Sequence, residues 1–181
     1  MGLIYFRDGE VIAESGEIRV YNMDNKLFLE KGPGHDLWAL EDELTDYIEQ
    51  LESWPRADCL EIGLGLGVAS KYILSFSQVK SLTTIELDPD VIKVQDMANP
   101  IGDPRHLVLQ AHGLYYLYET DRLFDFIFLD FYKVIDEDTL PEIADMVTAA
   151  RRRLKNNGRI MGWLDKHTNG DDYQTFMSLF K

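Results

Sequence analysis

The stretch Leu60-Glu-Ile-Gly63-Leu-Gly65-Leu-Gly67-Val-Ala-Ser-Lys-Tyr72 places a carboxylate, three alternating glycines and an amphipathic run in thirteen positions. Asp58 to Ile62 reads as a short buried strand, and Gly63 to Gly67 as the turn into a helix over about 67–77. A ligand of such a unit sits at the carboxyl end of the strand. Glycines there permit positive φ and close approach to the backbone, and the helix N-terminus offers unpaired N–H groups. The spacing departs from the dinucleotide fingerprint G-x-G-x-x-G, because Val68 stands where the last glycine is due. That disfavours a nicotinamide dinucleotide and leaves another nucleotide-like ligand.

Outward from this turn, short apolar runs alternate with helical stretches, the signature of a parallel sheet with crossover helices. Strands are expected at about 58–63, 81–86, 106–110, 124–130 and 159–164. Helices are expected between them at about 67–77, 89–98, 113–119 and 138–155, with a terminal helix at 171–180. The fold class that follows is α/β, a Rossmann-like, doubly wound, mostly parallel sheet. Glu86 closes the second of these strands, twenty-three positions after Gly63. An acid at that sheet edge can accept both hydrogen bonds of a ribose diol; the plainer reading is an exposed strand-end acid, with Asp88 capping a helix that Pro89 begins.

Before the core, residues 3–30 carry short apolar and β-branched pieces broken at Asp8-Gly9, Ser15-Gly16 and Asp24-Asn25, which predicts a small antiparallel meander. Leu37, Leu40, Leu44, Ile48 and Leu51 recur at helical spacing behind Asp36, which predicts a helix over 36–53 capped by that residue. Gly34-His35-Asp36 reads as a cap and its turn, or as a lid over the crevice.

At 181 residues, 45% hydrophobic and 28% charged, the chain suits one soluble domain with one sizeable core. A net charge of −14 argues against nucleic acid and anionic membrane as partners, since phosphate contacts are carried by Lys and Arg. Arg151-Arg152-Arg153 and Lys155 form the one cationic cluster in the sequence, placed to complement a helix C-terminus before Asn156-Asn157-Gly158. Cys59 is the single cysteine and reads as a small core residue. It excludes an intrachain disulfide and, with no leader-like or membrane-spanning run, suggests a cytoplasmic protein. His35, His106 and His167 lack metal-ligand spacing.

Three segments together resemble the class I S-adenosylmethionine-dependent methyltransferase superfamily: Glu61-Ile-Gly63-Leu-Gly65-Leu-Gly67, Thr84-Ile-Glu86-Leu-Asp88, and Asp125-Phe-Ile-Phe-Leu-Asp130. The resemblance covers about 58–165. It implies that Glu61, Gly63, Gly65 and Gly67 line the methionine and ribose side of S-adenosylmethionine. Glu86, with Leu87 beside it, would hold the ribose hydroxyls, and Gln110-Ala111-His112-Gly113 would bracket the adenine, with His112 where an acid is common. The superfamily's usual strand hairpin after the fifth strand is not expected here. The sheet edge is then bare, capped by the terminal helix, or paired in a homodimer.

Asp130 ends an apolar strand and is followed by Phe131-Tyr132-Lys133. It could orient an acceptor, hold the donor's ammonium group or simply cap a turn. Asp130, Tyr132 and Lys133 are the candidate catalytic residues. Asp130-Phe-Tyr-Lys133 is similar to the D-x-x-K of metal-dependent O-methyltransferases, which implies a cation on Asp130. That branch also wants an Asp-Asn pair where Asp165 is followed by Lys166, so no metal is expected. The N-terminal meander, Val79-x-x-Leu82 to Asp88 and Asp103-Pro104-Arg105 look like spermidine synthase and its relatives, which hold a polyamine through D-x-x-D. Lys133 occupies the second acidic place, and a fixed ammonium repels a cationic substrate.

The expected activity is therefore S-adenosylmethionine-dependent methyl transfer to a small molecule. The alternatives are aminopropyl transfer from decarboxylated S-adenosylmethionine, or a nucleotide-binding module without catalysis. Phe131, Tyr132, Tyr115, Tyr116 and Trp163 are candidates to face a sulfonium, two of the five being expected in the pocket.

Overall fold

The computed structural model describes residues 9–34, 36–52, 54–164, 168 and 170–181. Four antiparallel strands come first, β1 (Glu10–Ser15), β2 (Ile18–Met23), β3 (Lys26–Lys31) and β4 (Asp36–Leu40), paired in that order. The β2–β3 turn is Asp24-Asn25, both at positive φ (53° and 62°), the geometry whose twist matches the flanking strands. The meander expected from the sequence is present from β1 onward, and the rest of its predicted span, residues 3–8, lies outside the described residues.

The helix expected over 36–53 is corrected. Asp36–Leu40 is a fourth strand that pairs β3 in the register Lys31↔Asp36 to Phe28↔Leu40. A 3₁₀ turn (Glu41–Glu43) follows, and the helix proper, α1, is only Leu44–Leu51. The physical reason is the open edge of β3, whose unpaired N–H and C=O groups take the next segment as a partner and override its helical spacing. That spacing named the face only in part: Leu51 is buried as expected, but Leu44 and Ile48 are 41% and 48% exposed, and Tyr47, outside the row, is buried instead. Asp36 caps no helix, and His35, the centre of the predicted lid, is not among the described residues.

The second unit runs β5 (Ala57–Ile62), α2 (Val68–Ser75), β6 (Val79–Glu86), α3 (Pro89–Ala98), β7 (His106–Gln110), α4 (Gly113–Glu119), β8 (Phe124–Leu129), α5 (Leu140–Arg151), β9 (Leu154–Gly162) and α6 (Gly170–Leu179). Its sheet is parallel throughout, in the order β7-β6-β5-β8-β9. Strand order therefore reverses between β5 and β8, which opens a crevice at their carboxyl ends. Among the described residues no hairpin follows β9.

Two apolar clusters, one on each face of the sheet, hold the layers together. Leu51, Leu66, Ile73, Val94 and Phe128 belong to one, with Val20 and Leu29 of the meander; Leu60, Phe124, Ile127, Ile143 and Phe176 belong to the other. Cys59 is fully buried in β5, as expected, and burial pushes its thiol up to about 12. Polar ties fix the meander on α3: Ser15 Oγ donates to Asp90 Oδ1 at 2.7 Å, and Lys31 Nζ pairs with Asp88 Oδ2 at 2.9 Å.

The last helix–strand unit is also corrected. α5 stops at Arg151 rather than 155, and β9 starts at Leu154, because the Asn156-Asn157-Gly158 excursion lies inside the strand as a bulge between the pairs Phe124↔Leu154 and Phe126↔Arg159. The cationic cluster disperses accordingly. Arg153 donates to the carbonyls of Leu117 and Tyr118 in the last turn of α4, whereas Lys155 pairs with Asp58 (2.6 Å) and Asp125 (2.8 Å). Arg151 stays in the last turn of α5 as expected, and Arg153 complements the end of α4 instead.

Candidate functional site

A cavity of about 1030 Å³ opens at the carboxyl edge of the parallel sheet. Its lining contains Gly63, Gly65, Glu86, Leu87, Ala111, His112, Asp130, Tyr132 and Lys133, so most residues singled out from the sequence meet in one place. Glu61 and Gly67 do not line it.

Gly63 needs to be glycine for a reason other than ligand approach. Its φ is +100°, and a Cβ there would stand 1.9 Å from the backbone oxygen of Asp130. The loop and the end of β8 are pressed together, with Gly63 N–H donating to Ile85 O (2.9 Å) and Asp130 N–H to Ile62 O (2.8 Å). Gly67 is the left-handed N-cap of α2 (φ 71°), and a Cβ on it would meet Gln95.

Glu86 accepts Leu64 N–H at one carboxylate oxygen and Asp88 N–H at the other, each at 2.9 Å. The Leu87 backbone also acts on this carboxylate, and of about four acceptor sites it keeps capacity for a further donor. The remaining acceptor capacity faces the cavity, where a hydroxyl-bearing ligand could donate to it. Burial raises the Glu86 carboxyl above its usual range, while the backbone donors pull it down. Asp88 N-caps α3 through Asp90 N–H (3.0 Å), with Pro89 behind it. His112 N-caps α4, its Nδ1 accepting Leu114 N–H at 3.2 Å, which puts the ring proton on Nε2.

Glu61 lies wholly beneath the loop. Its Oε2 accepts from Ser70 Oγ and from Thr84 Oγ1 (2.6 Å), and Thr84 Oγ1 in turn contacts His106 Nε2 (2.8 Å). Oε1 has no hydrogen-bond partner among the described residues, and burial pushes the carboxyl up to about 8. The folded chain thus holds a proton that the unfolded chain releases near 4.5. The stability this proton contributes is intact below 4.5 and is lost as pH rises to about 8, at about 1.4 kcal/mol per pH unit. Glu61→Gln, which cannot titrate, is expected to flatten the fall of the urea midpoint between pH 5 and 8; an unchanged slope would place the proton elsewhere.

The reacting end of the cavity has a centre that the sequence reading missed. Tyr47 Oη lies 2.7 Å from Asp130 Oδ2 and 3.2 Å from Glu43 Oε2, and its ring stands edge-on to Phe128 of β8 at 5.9 Å. Burial first, and then the Glu86 charge, push Asp130 up to about 7; burial and the Asp130 charge push Glu43 to about 8, and the Tyr47 phenol goes far above its usual range. The overlooked signal is the i, i+4 row Glu43, Tyr47, Leu51, a polar-to-apolar stripe beside the one formed by Leu44 and Ile48. α1 is held in place by Gln50, whose side-chain amide exchanges two hydrogen bonds with the peptide of Leu164 (2.9 and 3.0 Å).

Tyr132 donates its hydroxyl proton to Trp163 O at 2.6 Å, and Lys133 Nζ pairs with Asp36 Oδ2 of β4 at 2.6 Å. Of the five aromatic candidates, Phe131, Tyr132 and Trp163 line the cavity, one more than expected; Tyr115 is exposed and Tyr116 packs against the core. Asp165 and Lys166, weighed for a metal, lie outside the described residues, as do His35 and His167. Among the described residues no helix is long and apolar enough to cross a membrane.

No protein-family model and no curated protein sequence matches the chain. Solved structures match its fold. Spermidine synthase from Thermotoga maritima superposes with a TM-score of 0.72 at 16% identity, over 94% of this chain and 62% of that one. A spermidine synthase in complex with the transition-state analogue AdoDATO gives 0.70 at 17% identity, with the same coverage. The chain therefore has the spermidine synthase fold, a Rossmann-like sheet with an antiparallel N-terminal meander, and spans 62% of the length of these two structures. Neither neighbour favours the methyl-transfer reading.

Proposed function

We propose that the chain is a transferase of the aminopropyl type, moving an alkyl group from decarboxylated S-adenosylmethionine to the amine of a small molecule. The observation that carries this reading is the convergence of Asp130, Glu43 and Tyr47 with Glu86 in one cavity. Buried carboxyls that share one cavity, two of them through the Tyr47 hydroxyl, cannot all ionise, so they hold protons that an incoming ammonium replaces. A site built for methyl transfer to a neutral acceptor has no use for them. The two spermidine synthases with this fold support the same choice over the methyltransferase expected from sequence.

Decarboxylated S-adenosylmethionine supplies a carbon already activated by its sulfonium. The chain has three tasks: to hold the adenosyl group through Glu86 and the glycine loop, to align the amine in line with the C–S bond, and to take one proton. The bound ammonium first gives one proton to Asp130, which frees the nitrogen lone pair; as the N–C bond forms, the C–S electron pair stays on sulfur and gives a neutral thioether, and the product keeps one positive charge as an alkylated ammonium. A carboxyl near 7 is matched to that step at neutral pH. Alignment supplies the larger part of the acceleration.

Calorimetric titration with methylthioadenosine, decarboxylated S-adenosylmethionine and S-adenosylmethionine tests the reading. Micromolar binding is expected, and Glu86→Ala should weaken methylthioadenosine about a hundredfold through two lost charge-assisted hydrogen bonds. Absence of binding by all three ligands would leave the fold as a scaffold without this activity.

A further inference from the structure

The cavity has a second pole, where two lysines each pair with an aspartate. Lys133 lines it three residues beyond Asp130, and Lys31 lines it from β3; the ring centroid of Trp38 lies 5.7 Å from the Lys133 ammonium and 4.4 Å from that of Lys31. The two lysines are held differently. Lys31 pairs with Asp88, a side chain only 20% exposed that also caps α3, so that this pair belongs to the framework. Lys133 pairs with Asp36, which is 70% exposed and has solvent for an alternative. An ion pair so open contributes little. A ligand carboxylate lodged in the cavity beside Trp38, with less water around it, competes with Asp36 on favourable terms.

We infer that Lys133 receives a carboxylate of the bound substrates, so that this site takes a ligand carrying both an ammonium and a carboxylate rather than a polyamine. The inference rests on the proposed transfer to an amine and names the substrate class for it. The ammonium enters among Glu43, Tyr47 and Asp130, and the carboxylate faces Lys133. A diamine satisfies the first pole and offers Lys133 no anion to exchange for Asp36. The carboxylate belongs either to the acceptor, as in a short ω-amino acid, or to an undecarboxylated donor, and the two sources are separable.

With methylthioadenosine at saturation, 4-aminobutanoate is titrated against 1,4-diaminobutane, two ligands that differ only in one end group. In a second arm S-adenosylmethionine is titrated against its decarboxylated form. The expected result is a preference of about tenfold or more for the carboxylate-bearing member of one pair, the first pair identifying the acceptor and the second the donor. Lys133→Ala should remove that preference and Lys133→Arg should keep it, methylthioadenosine binding serving as the measure of an intact site. Equal or tighter binding of the carboxylate-free members overturns the inference, and so does a preference that survives Lys133→Ala. Failure of methylthioadenosine itself to bind is a different result: it overturns the proposed function and removes the ground of the inference with it.

Discussion

Gly63→Ala is expected to cost more than about 4 kcal/mol, a large part of the 5–15 kcal/mol that holds a domain of this kind together. The added methyl would lie 1.9 Å from the Asp130 oxygen and 2.6 Å from its carbonyl carbon, both backbone atoms that no rotamer change can move aside. The residue also sits at φ +100°, where a side chain adds about 1–3 kcal/mol of strain. Relief requires β5 and β8 to part at their ends, which breaks Asp130 N–H to Ile62 O. A buried amide left without a partner costs about 1–3 kcal/mol. Gly65→Ala is the comparison: its Cβ would meet only the Ala39 methyl, at 3.3 Å. Urea unfolding of both variants checks the argument; a Gly63→Ala midpoint close to that of Gly65→Ala would show that the loop and the end of β8 are not in contact.

Asp130→Asn should lower kcat for alkyl transfer about a thousandfold, within the range associated with loss of a positioned general base. In the parent, Asp130 must be ionised to accept the amine proton, so the rate should climb as pH passes through about 7 and level off above it. The asparagine variant keeps the shape and the hydrogen bond from Tyr47 but has no such step, and its profile should be flat there. Stability moves the other way. The folded-state value of about 7 lies above the unfolded 3.8, so the parent is favoured by the retained proton at low pH and loses that advantage between the two values. The variant should lose less over the same range. A variant with a reduced rate but an unaltered pH profile would make Asp130 a positioning residue and move the base to Glu43.

The central sheet was legible because parallel strands buried on both faces give apolar runs: Cys59 to Ile62, interrupted only by Glu61, and Phe126 to Leu129 are all buried. The acid at the end of β6 was legible for a related reason, since a strand that must end at a crevice puts its last side chain there. β4 was not. Its five residues carry neither strict alternation nor β-branched side chains, and only the open edge of β3, a fact of tertiary structure, makes them a strand. The same step hid Glu43 and Tyr47, which become neighbours of Asp130 only once α1 is short and turned to place Leu51 in the core. The glycines were found for half of the right reason: positive φ is required at 63, 65 and 67, but the methyl groups that 63 and 67 exclude would strike the protein's own atoms.

Because β4 belongs to the meander yet supplies Asp36 to Leu40 to the cavity wall, the boundary visible in the topology is not the boundary of the working unit. A chimaera with another protein of this fold, joined just ahead of β5, would inherit a glycine loop, a ribose acid and a base on one side and a foreign wall on the other. The natural seam for recombination lies before β1, and residues 10–40 travel with the chemistry.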